Sequence, residues 1–301
     1  TLISAVFASL LMASQATAAD SIVGMKVDDF ELVDHTGAAQ RLYYYDNAPA
    51  IVLMTQSNGC PVVESSLPEL NKVRAAYADQ GVQFFLVNSK LEDDRASIVA
   101  EAKKLGLDIP LLHDAYQFVG ESLQASRSGE VYVIDPKSKT VVYHGPVKAK
   151  GDHLADALAE VVNDKKVSLA VVQAPGCAVD FPEVAKRNLH ANISYPETIA
   201  PILEEKCVDC HQQGGIGPWA MSSYEMIKGF SPMIREVIRT DRMPPWHADA
   251  EVGHFIRDRS LTAKEAKTLV HWIEAGSPRG EGADPLAAPR PALEDWPLGK
   301  P

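Results

Sequence analysis

The sequence predicts a chain of two parts, an α/β layered domain followed by an all-α domain. In the first half, short apolar runs alternate with helical patterns, as in a sheet that is covered by helices. After residue 192 the strand patterns cease and helix-capping patterns take over. The length of 301 residues also exceeds that of one average domain, so two domains are expected.

The composition excludes one class of partner. Hydrophobic residues make up 46% of the chain, which is enough for well-formed cores, and the formal net charge is −11. Neither half of the chain is basic. Because nucleic-acid binding needs a concentrated positive surface, nucleic acid is not an expected partner.

The N-terminus has the pattern of an export signal. An apolar run from Leu2 to Met12 leads into Ala16, Thr17 and Ala18, the small-residue pattern at which such signals are cleaved. An initiator Met and a basic segment are absent, so the start looks clipped. We therefore predict a signal peptide over 1–18 and a mature protein in a bacterial periplasm or otherwise exported. The run is too short to span a membrane comfortably, and we expect no integral membrane span in the mature chain.

The first domain is predicted over residues 20–165. Two nearly continuous apolar runs, 50–57 and 82–89, are typical of strands buried on both faces. A β-hairpin is expected at 131–145, and helices are expected at 68–81, 93–106 and 152–164. Residues 166–192 have no strong periodicity, so we expect a linker or an extension that wraps over the first domain.

The second domain is predicted over residues 193–280 and is helical. Three patterns mark the expected helix starts, namely Ser194 with Glu197, Ser231 before Pro232, and Thr262 with Glu265. The last helix is expected to end at Gly276, with a proline beyond it. Residues 281–301 are rich in proline and glycine and are predicted to be an extended tail.

The motif Cys207-Val-Asp-Cys210-His211 predicts one covalently attached haem c. Each thiol would add to a haem vinyl group, and the histidine would supply the proximal nitrogen to the iron. A structural zinc site would need a second ligand pair, and His247 and His254 lack that spacing. A redox dithiol would follow a buried strand, whereas this motif follows a helical pattern.

The distal iron ligand must come from elsewhere in the chain. The candidates are Met221, Met226, Met233, Met243 and His247. Met226 and Met233 fall at helical spacing with Phe230 and Val237, which predicts core packing. Met243 follows a helix and precedes two prolines that stiffen the backbone. We therefore predict Met243 as the distal ligand, with His247 as runner-up.

The three tryptophans Trp219, Trp246 and Trp272 are expected to pack against the haem. With the stretches YPETIAPILEEKCVDCH, GGIGPW, RMPPWHAD and LVHWIEAGSPRG, residues 193–300 resemble a small monohaem cytochrome c domain. The resemblance is to a form fused to redoxin domains, often in proteins that continue into a copper-dependent, ascorbate-type monooxygenase module. That module would begin after the segment WPLGKP, which is the last segment of this sequence. The monooxygenase activity of the longer proteins is therefore not expected of these residues. The resemblance implies that Cys207 and Cys210 bind haem, that His211 is proximal, and that Met243 is distal.

The stretch AIVLMTQSNGCPVVESSLPEL resembles the active-site region of the thioredoxin and peroxiredoxin (redoxin) superfamily. The resemblance implies a thioredoxin-like fold, a central mixed sheet flanked by helices, with Cys60 at a helix N-terminus and Pro68 as the helix kink. Ser57 matches a residue that precedes the peroxiredoxin cysteine. Val63 replaces the second cysteine of the thioredoxin motif, and Ser128 or Gly129 lies near the place of the family's cis-proline.

Cys177 is the candidate disulfide partner of Cys60. These two thiols are the ones that remain after haem attachment, and the compartment is expected to be oxidising. A disulfide would form if the segment around residue 177 folds back over the Cys60 helix, and it would be a static brace or a redox switch. Sequence alone leaves this pairing open. A third alternative is a copper site that combines both cysteines with His113 or His144.

Three functions follow from these patterns. The first is an exported haem c electron-transfer protein whose redoxin domain docks redox partner proteins. The second is a periplasmic thiol oxidoreductase or peroxidase that uses Cys60 and is coupled to the haem. The third is a non-catalytic docking subunit of a larger redox complex. The missing second cysteine and cis-proline favour the first and third.

Overall fold

A computed structural model describes residues 21–245, 255–256 and 258–290. The predicted signal peptide, Trp246, His247 and the end of the tail lie outside the described residues. No helix in the described part combines the length and the apolar character needed to cross a membrane.

The described strands lie mostly in the first half of the chain. They are β1 (Glu31–Val33), β2 (Ala39–Arg41), β3 (Ile51–Gln56), β4 (Gln83–Asn88), β5 (Leu111–His113), β6 (Arg127–Ser128), β7 (Val131–Asp135), β8 (Thr140–Gly145) and β9 (Cys177–Ala178). Five of them form one sheet in the order β5-β4-β3-β7-β8. The pairs β3–β4 and β4–β5 are parallel, whereas β3–β7 and β7–β8 are antiparallel. The predicted mixed sheet is confirmed.

Helices cover this sheet and form the second half. They are α1 (Pro61–Ala76), α2 (Arg95–Leu105), α3 (Phe118–Ser122), α4 (His153–Val161), α5 (Pro182–Ala185), α6 (Arg187–His190), α7 (Ala200–Lys206), α8 (Tyr224–Arg239) and α9 (Ala263–Glu274). The predicted starts at Ser194 and Thr262 are confirmed, because each side chain accepts the expected backbone hydrogen bond. A wide π-type turn, Tyr195–Ile199, leads into α7.

Each face of the central sheet has its own core. Val52 and Met54 of β3 join one buried cluster, while Ile51 and Leu53 join the cluster on the opposite face. This split follows from the alternation of side chains along a strand. Both faces are apolar because helices and loops cover both, which explains the continuous apolar runs in the sequence.

The predicted helix start at Ser231 was wrong. Helix α8 begins about two turns earlier at Tyr224, where the Ser223 hydroxyl accepts the Met226 N–H, and Pro232 lies inside the helix. A proline leaves the carbonyl four residues before it without its usual donor. Here the Ser231 hydroxyl donates to the Lys228 carbonyl at 2.8 Å. The serine that resembled a cap thus compensates for the interior proline.

Residues 166–192, hereafter the wrapping segment, return over the first domain. Within the segment, β9 pairs antiparallel with β6, so that Cys177 lies opposite Ser128. A Cβ at Gly176 would lie 2.1 Å from the Ser128 carbonyl oxygen, so this close approach requires glycine. Further along, the Asp180 carbonyl accepts a hydrogen bond from Gln117 at 2.8 Å.

Helices α7, α8 and α9 pack around a core of their own that also includes Phe118 of the first domain. Arg239 of α8 is buried against α3, and its guanidinium donates to the Phe118 carbonyl at 3.4 Å and to the Ser122 hydroxyl at 3.1 Å. Lys267 of α9 donates to the Gln117 side chain at 3.1 Å. The helical part is therefore joined to the first domain by both apolar and polar contacts.

Candidate functional site

Cys60 lies directly before α1, as the sequence predicts. It is only 2% exposed and follows the turn that leaves β3. Two buried carboxylates hold this turn. The Asn58 N–H donates to Asp93 at 2.7 Å, and the Gly59 N–H donates to Glu101 at 2.9 Å. The position before a helix favours a thiolate, because unpaired N–H groups and the helix dipole face it.

Cys60 forms a disulfide with Cys177, with a Cα–Cα distance of 6.0 Å. The pairing that the sequence left open is therefore settled in favour of the bond, which fastens the wrapping segment to the start of α1. The copper alternative is wrong, since neither sulfur is available as a thiolate ligand. Of its two histidines, His144 stacks on Tyr132 at a centroid distance of 4.6 Å.

Ser57 and Ser128, which the resemblance to redoxins singles out, and the neighbouring Arg127 make structural contacts in this chain. The Ser128 hydroxyl donates to the Ser57 hydroxyl at 2.7 Å, and both side chains are buried. Arg127 is exposed, and its guanidinium donates to the Gly176 carbonyl at 3.4 Å. Ser128 and Arg127 thus hold the wrapping segment and the Cys60 turn together.

A second candidate site lies among the C-terminal helices, where α7 ends. Cys207 directly follows Lys206, the last residue of α7, and Cys210 and His211 come shortly after it. The three residues line a cavity of about 360 Å³. Its other lining residues are mostly apolar and include Leu203, Ile216, Trp219, Met221, Met233, Val237, Met243, Pro244 and Leu269. Such a volume and lining are typical of a small-molecule or cofactor site.

The ring of His211 is held in one orientation. Its Nδ1 lies 3.1 Å from the Trp219 carbonyl oxygen, so Nδ1 carries the hydrogen and Nε2 keeps its lone pair. A Cβ at Gly217 would lie 2.7 Å from the same Nδ1. The Gly-rich loop after the motif can therefore pack directly on the imidazole.

The Cys207 thiol lies in an apolar environment. Burial raises its pKa to about 12, and the neighbouring Cys210 adds to the effect.

The methionine predictions need one correction. Met226 is 37% and Met233 is 51% exposed, so the expected core packing of both is wrong. The face of α8 that carries Met233 and Val237 borders the cavity instead of the helical core. Met243 also lines the cavity. Helical spacing identified the right face of α8, but it could not tell a core from a cavity wall.

The described tryptophans of this region also divide between the cavity wall and the helical core. Trp219 lines the cavity and stacks on Phe230 at 4.2 Å. Trp272 is fully buried in the helical core, where its indole N–H donates to the Pro278 carbonyl at 2.9 Å, and it is not among the residues lining the cavity. Its predicted place beside the haem was therefore wrong.

Sequence reasoning missed two groups of residues. Met233 was assigned to a core, although it lines the same cavity as His211, Met221 and Met243. A cluster of Glu183, His190 and His271 gave no sequence signal, because its members come from distant segments and no short motif joins them.

The arrangement of the first domain, a mixed sheet with a cysteine before the first long helix, is that of a thioredoxin-like domain. Residues 23–144 match the AhpC/TSA family. No curated protein sequence matches the chain.

Three solved structures show the extent of the likeness. A hypothetical protein from Sinorhizobium meliloti 1021 is 27% identical, with 54% of this chain and 95% of that chain covered and a TM-score of 0.48. The peroxidoxin BcpB from Mycobacterium tuberculosis is 21% identical, with 47% of this chain and 96% of that chain covered and a TM-score of 0.39. The thioredoxin domain of a thiol-disulfide oxidoreductase from Bacteroides vulgatus is 17% identical, with 47% of this chain and 98% of that chain covered and a TM-score of 0.41.

Proposed function

We propose that this chain is an exported haem c electron-transfer protein that carries a redoxin domain. The observation that supports the proposal is one apolar cavity of about 360 Å³ that Cys207, Cys210, His211 and Met243 line together. The two cysteines would hold the haem through thioether bonds, His211 would be the proximal ligand and Met243 the distal ligand. A haem c with His and Met ligands supplies one-electron transfer at a raised reduction potential.

The residues around the cavity fit this group. The Trp219 carbonyl fixes the His211 tautomer, so that Nε2 keeps the lone pair that iron ligation requires. Ile216, Trp219 and Leu269 give the cavity an apolar wall, which limits the access of water and favours the less charged, reduced iron. Met243 and Met233 each bring a thioether to the cavity. We assign Met243 as the distal ligand because it lies on a loop that two prolines stiffen.

The redoxin domain acts in this proposal as a docking module. Cys60 is almost fully buried and its sulfur is bonded to Cys177. A disulfide is retained in oxidising compartments, which agrees with export to a periplasm. We infer that redox partner proteins, or the other subunits of a larger redox complex, bind the surface of this domain.

A redox titration of the purified chain tests this function. The haem absorbance is followed against applied potential, with the Cys60→Ala variant as a control for thiol involvement. We expect a single reversible one-electron transition with nearly the same midpoint in both proteins. A two-electron transition, or no reversible transition at all, would overturn the assignment as a one-electron carrier.

A second candidate is a thiol oxidoreductase at Cys60, and the disulfide to Cys177 is the observation that favours it. Reduction of this bond consumes two electrons and two protons and yields two thiols, for which an external dithiol is a suitable donor. A haem c carries one electron at a time, so we rank this function second. The test is thiol trapping after incubation with a dithiol. If the bond is catalytic, Cys60 and Cys177 should both be labelled when the dithiol is only mildly reducing. An unlabelled, persistently oxidised pair would assign it as a brace.

A further inference from the structure

A cluster of metal-ligating side chains lies between the wrapping segment and α9. Glu183, His190 and His271 place one ligand atom each within 4.8 Å of one another. His190 is 7% exposed and His271 is 4% exposed. None of these residues belongs to the redoxin site or to the cavity beside Cys207.

The two histidines form one compact unit. Their rings stack in parallel, with centroids 4.3 Å apart and an interplanar angle of 5°. His190 Nε2 lies 3.2 Å from a Glu183 oxygen, and His271 Nε2 lies 3.0 Å from an oxygen of Glu121. Each imidazole therefore directs the same nitrogen towards a carboxylate, and two such pairs lie side by side.

Glu121 gives an independent indication that an ion or a water molecule binds beside the cluster. Its side chain is 8% exposed, and its Oε1 is buried without a hydrogen-bond partner among the described residues. A buried carboxylate oxygen that lacks a partner is costly, and in native proteins it commonly marks a bound ion or water.

We propose that Glu183, His190 and His271 bind one divalent cation of the zinc type, with Glu121 as the fourth ligand. Imidazole nitrogens and carboxylate oxygens bind Zn²⁺ at about 2.0–2.2 Å in a tetrahedral arrangement, which places neighbouring ligand atoms about 3.3 Å apart. The two nitrogen–oxygen distances in the cluster are already close to that spacing. Glu121 reaches the cluster through His271 Nε2, 3.0 Å from its carboxylate, and the two parallel imidazole rings must rotate before the four atoms surround a common centre.

The two carboxylates offset the two positive charges of the ion when both histidines are neutral. Three nearby cations act against cation binding. Lys186 pairs with Glu183 at 3.0 Å, and Arg187 and Arg239 line the adjoining cavity of about 440 Å³. Arg235, which also lines it, is already paired with Asp28 at 2.8 Å and Glu274 at 2.7 Å.

The ligands come from three parts of the fold, so the ion would have a structural role. Glu121 belongs to α3 of the redoxin domain, Glu183 and His190 belong to the wrapping segment, and His271 belongs to α9. A metal at this point would join all three, as closed structural zinc sites do in other proteins.

Zinc binding to the full chain tests the proposal. The chain is treated with iodoacetamide to block any free thiol, stripped with EDTA and titrated with Zn²⁺ alone. We expect saturable binding of one ion per chain, no comparable binding of Mg²⁺, and a rise in Tm on zinc addition. X-ray absorption should show nitrogen and oxygen neighbours with imidazole scattering. The absence of saturable zinc binding would overturn the proposal.

Three variants locate the ion. His271→Gln should weaken zinc affinity by at least about tenfold, while His153→Gln, a histidine at the start of α4, should bind as the wild type does. If His271→Gln does not fold, Glu183→Gln serves instead, because Glu183 lies at the more exposed side of the cluster. Wild-type zinc affinity in both His271→Gln and Glu183→Gln would place the ion elsewhere and overturn the assignment.

Discussion

His211 donates its Nδ1 hydrogen to the main-chain carbonyl of Trp219, at a distance of 3.1 Å. This bond links the end of the CxxCH motif to the loop that forms the cavity wall. Because one ring nitrogen is fixed in this way, the other keeps its lone pair, as the proposed haem ligation requires. The predictions for the cavity depend on this relationship.

The first prediction concerns the glycine that packs on this imidazole. In Gly217→Ala the new Cβ would lie 2.7 Å from His211 Nδ1, so the ring must shift. We expect the haem to remain attached, but with an altered midpoint potential and a larger high-spin fraction in the absorption and EPR spectra. Gly229→Ala is the matched control, since its Cβ meets nothing within 4 Å. Equal spectra for the two variants would contradict the proposed contact.

The second prediction separates two of the thioethers that line the cavity, those of Met233 and Met243. Met243→Ala should abolish the thioether-to-iron charge-transfer band of the oxidised protein and lower the reduction potential, because the distal ligand is lost. Met233→Ala should keep the band. If the band survives in Met243→Ala and disappears in Met233→Ala, then Met233 is the distal ligand and the assignment from the stiffened loop is wrong.

The third prediction concerns the disulfide between Cys60 and Cys177, which are 117 residues apart in sequence. Cys177→Ala should lower the free energy of unfolding by about 3 kcal/mol, because the unfolded chain is no longer cross-linked. The measurement is denaturant unfolding with and without a reductant. The reductant should destabilise the wild type and leave the variant unchanged. An equal response of both proteins would show that the bond does not contribute.

The fourth prediction concerns Asp114, a buried carboxyl beside α3. Burial raises its pKa to about 6 from an ordinary value of 3.8. The folded state therefore binds the proton more tightly than the unfolded state, and this contribution to stability is present at low pH and lost as pH rises through about 6. Relative to Asp114→Asn, the wild type should gain stability between pH 7 and pH 4. A difference in stability that does not change with pH would contradict the shifted pKa.

The sequence was most informative where local patterns coincide with tertiary structure. The apolar runs of β3 and β4 indicated a buried sheet, and Cys60 lies before a helix as its turn-and-proline context implied. Thr262 and Glu265 form the predicted capping box. In each case a short stretch of chain contains all the groups that determine the outcome.

The failures have a common physical cause. Ser231 and Pro232 resemble a helix start, but the fold extends α8 across them because Tyr224, Ile227 and Ile234 are buried in the helical core. Met233 and Trp272 are both apolar, and only the packing of α8 and α9 decides which faces the cavity. The His190 and His271 pair depends on the wrapping segment reaching α9, which no local pattern encodes.

The central claim is that Cys207 and Cys210 hold a haem covalently. The most direct measurement is the intact mass and pyridine haemochrome spectrum of the wild type, beside the Cys207→Ser/Cys210→Ser variant, both produced in a host that matures c-type cytochromes. The account predicts one haem mass and a two-thioether spectrum for the wild type and neither for the variant. A wild-type chain at its bare mass, without a haem c spectrum, would contradict the account.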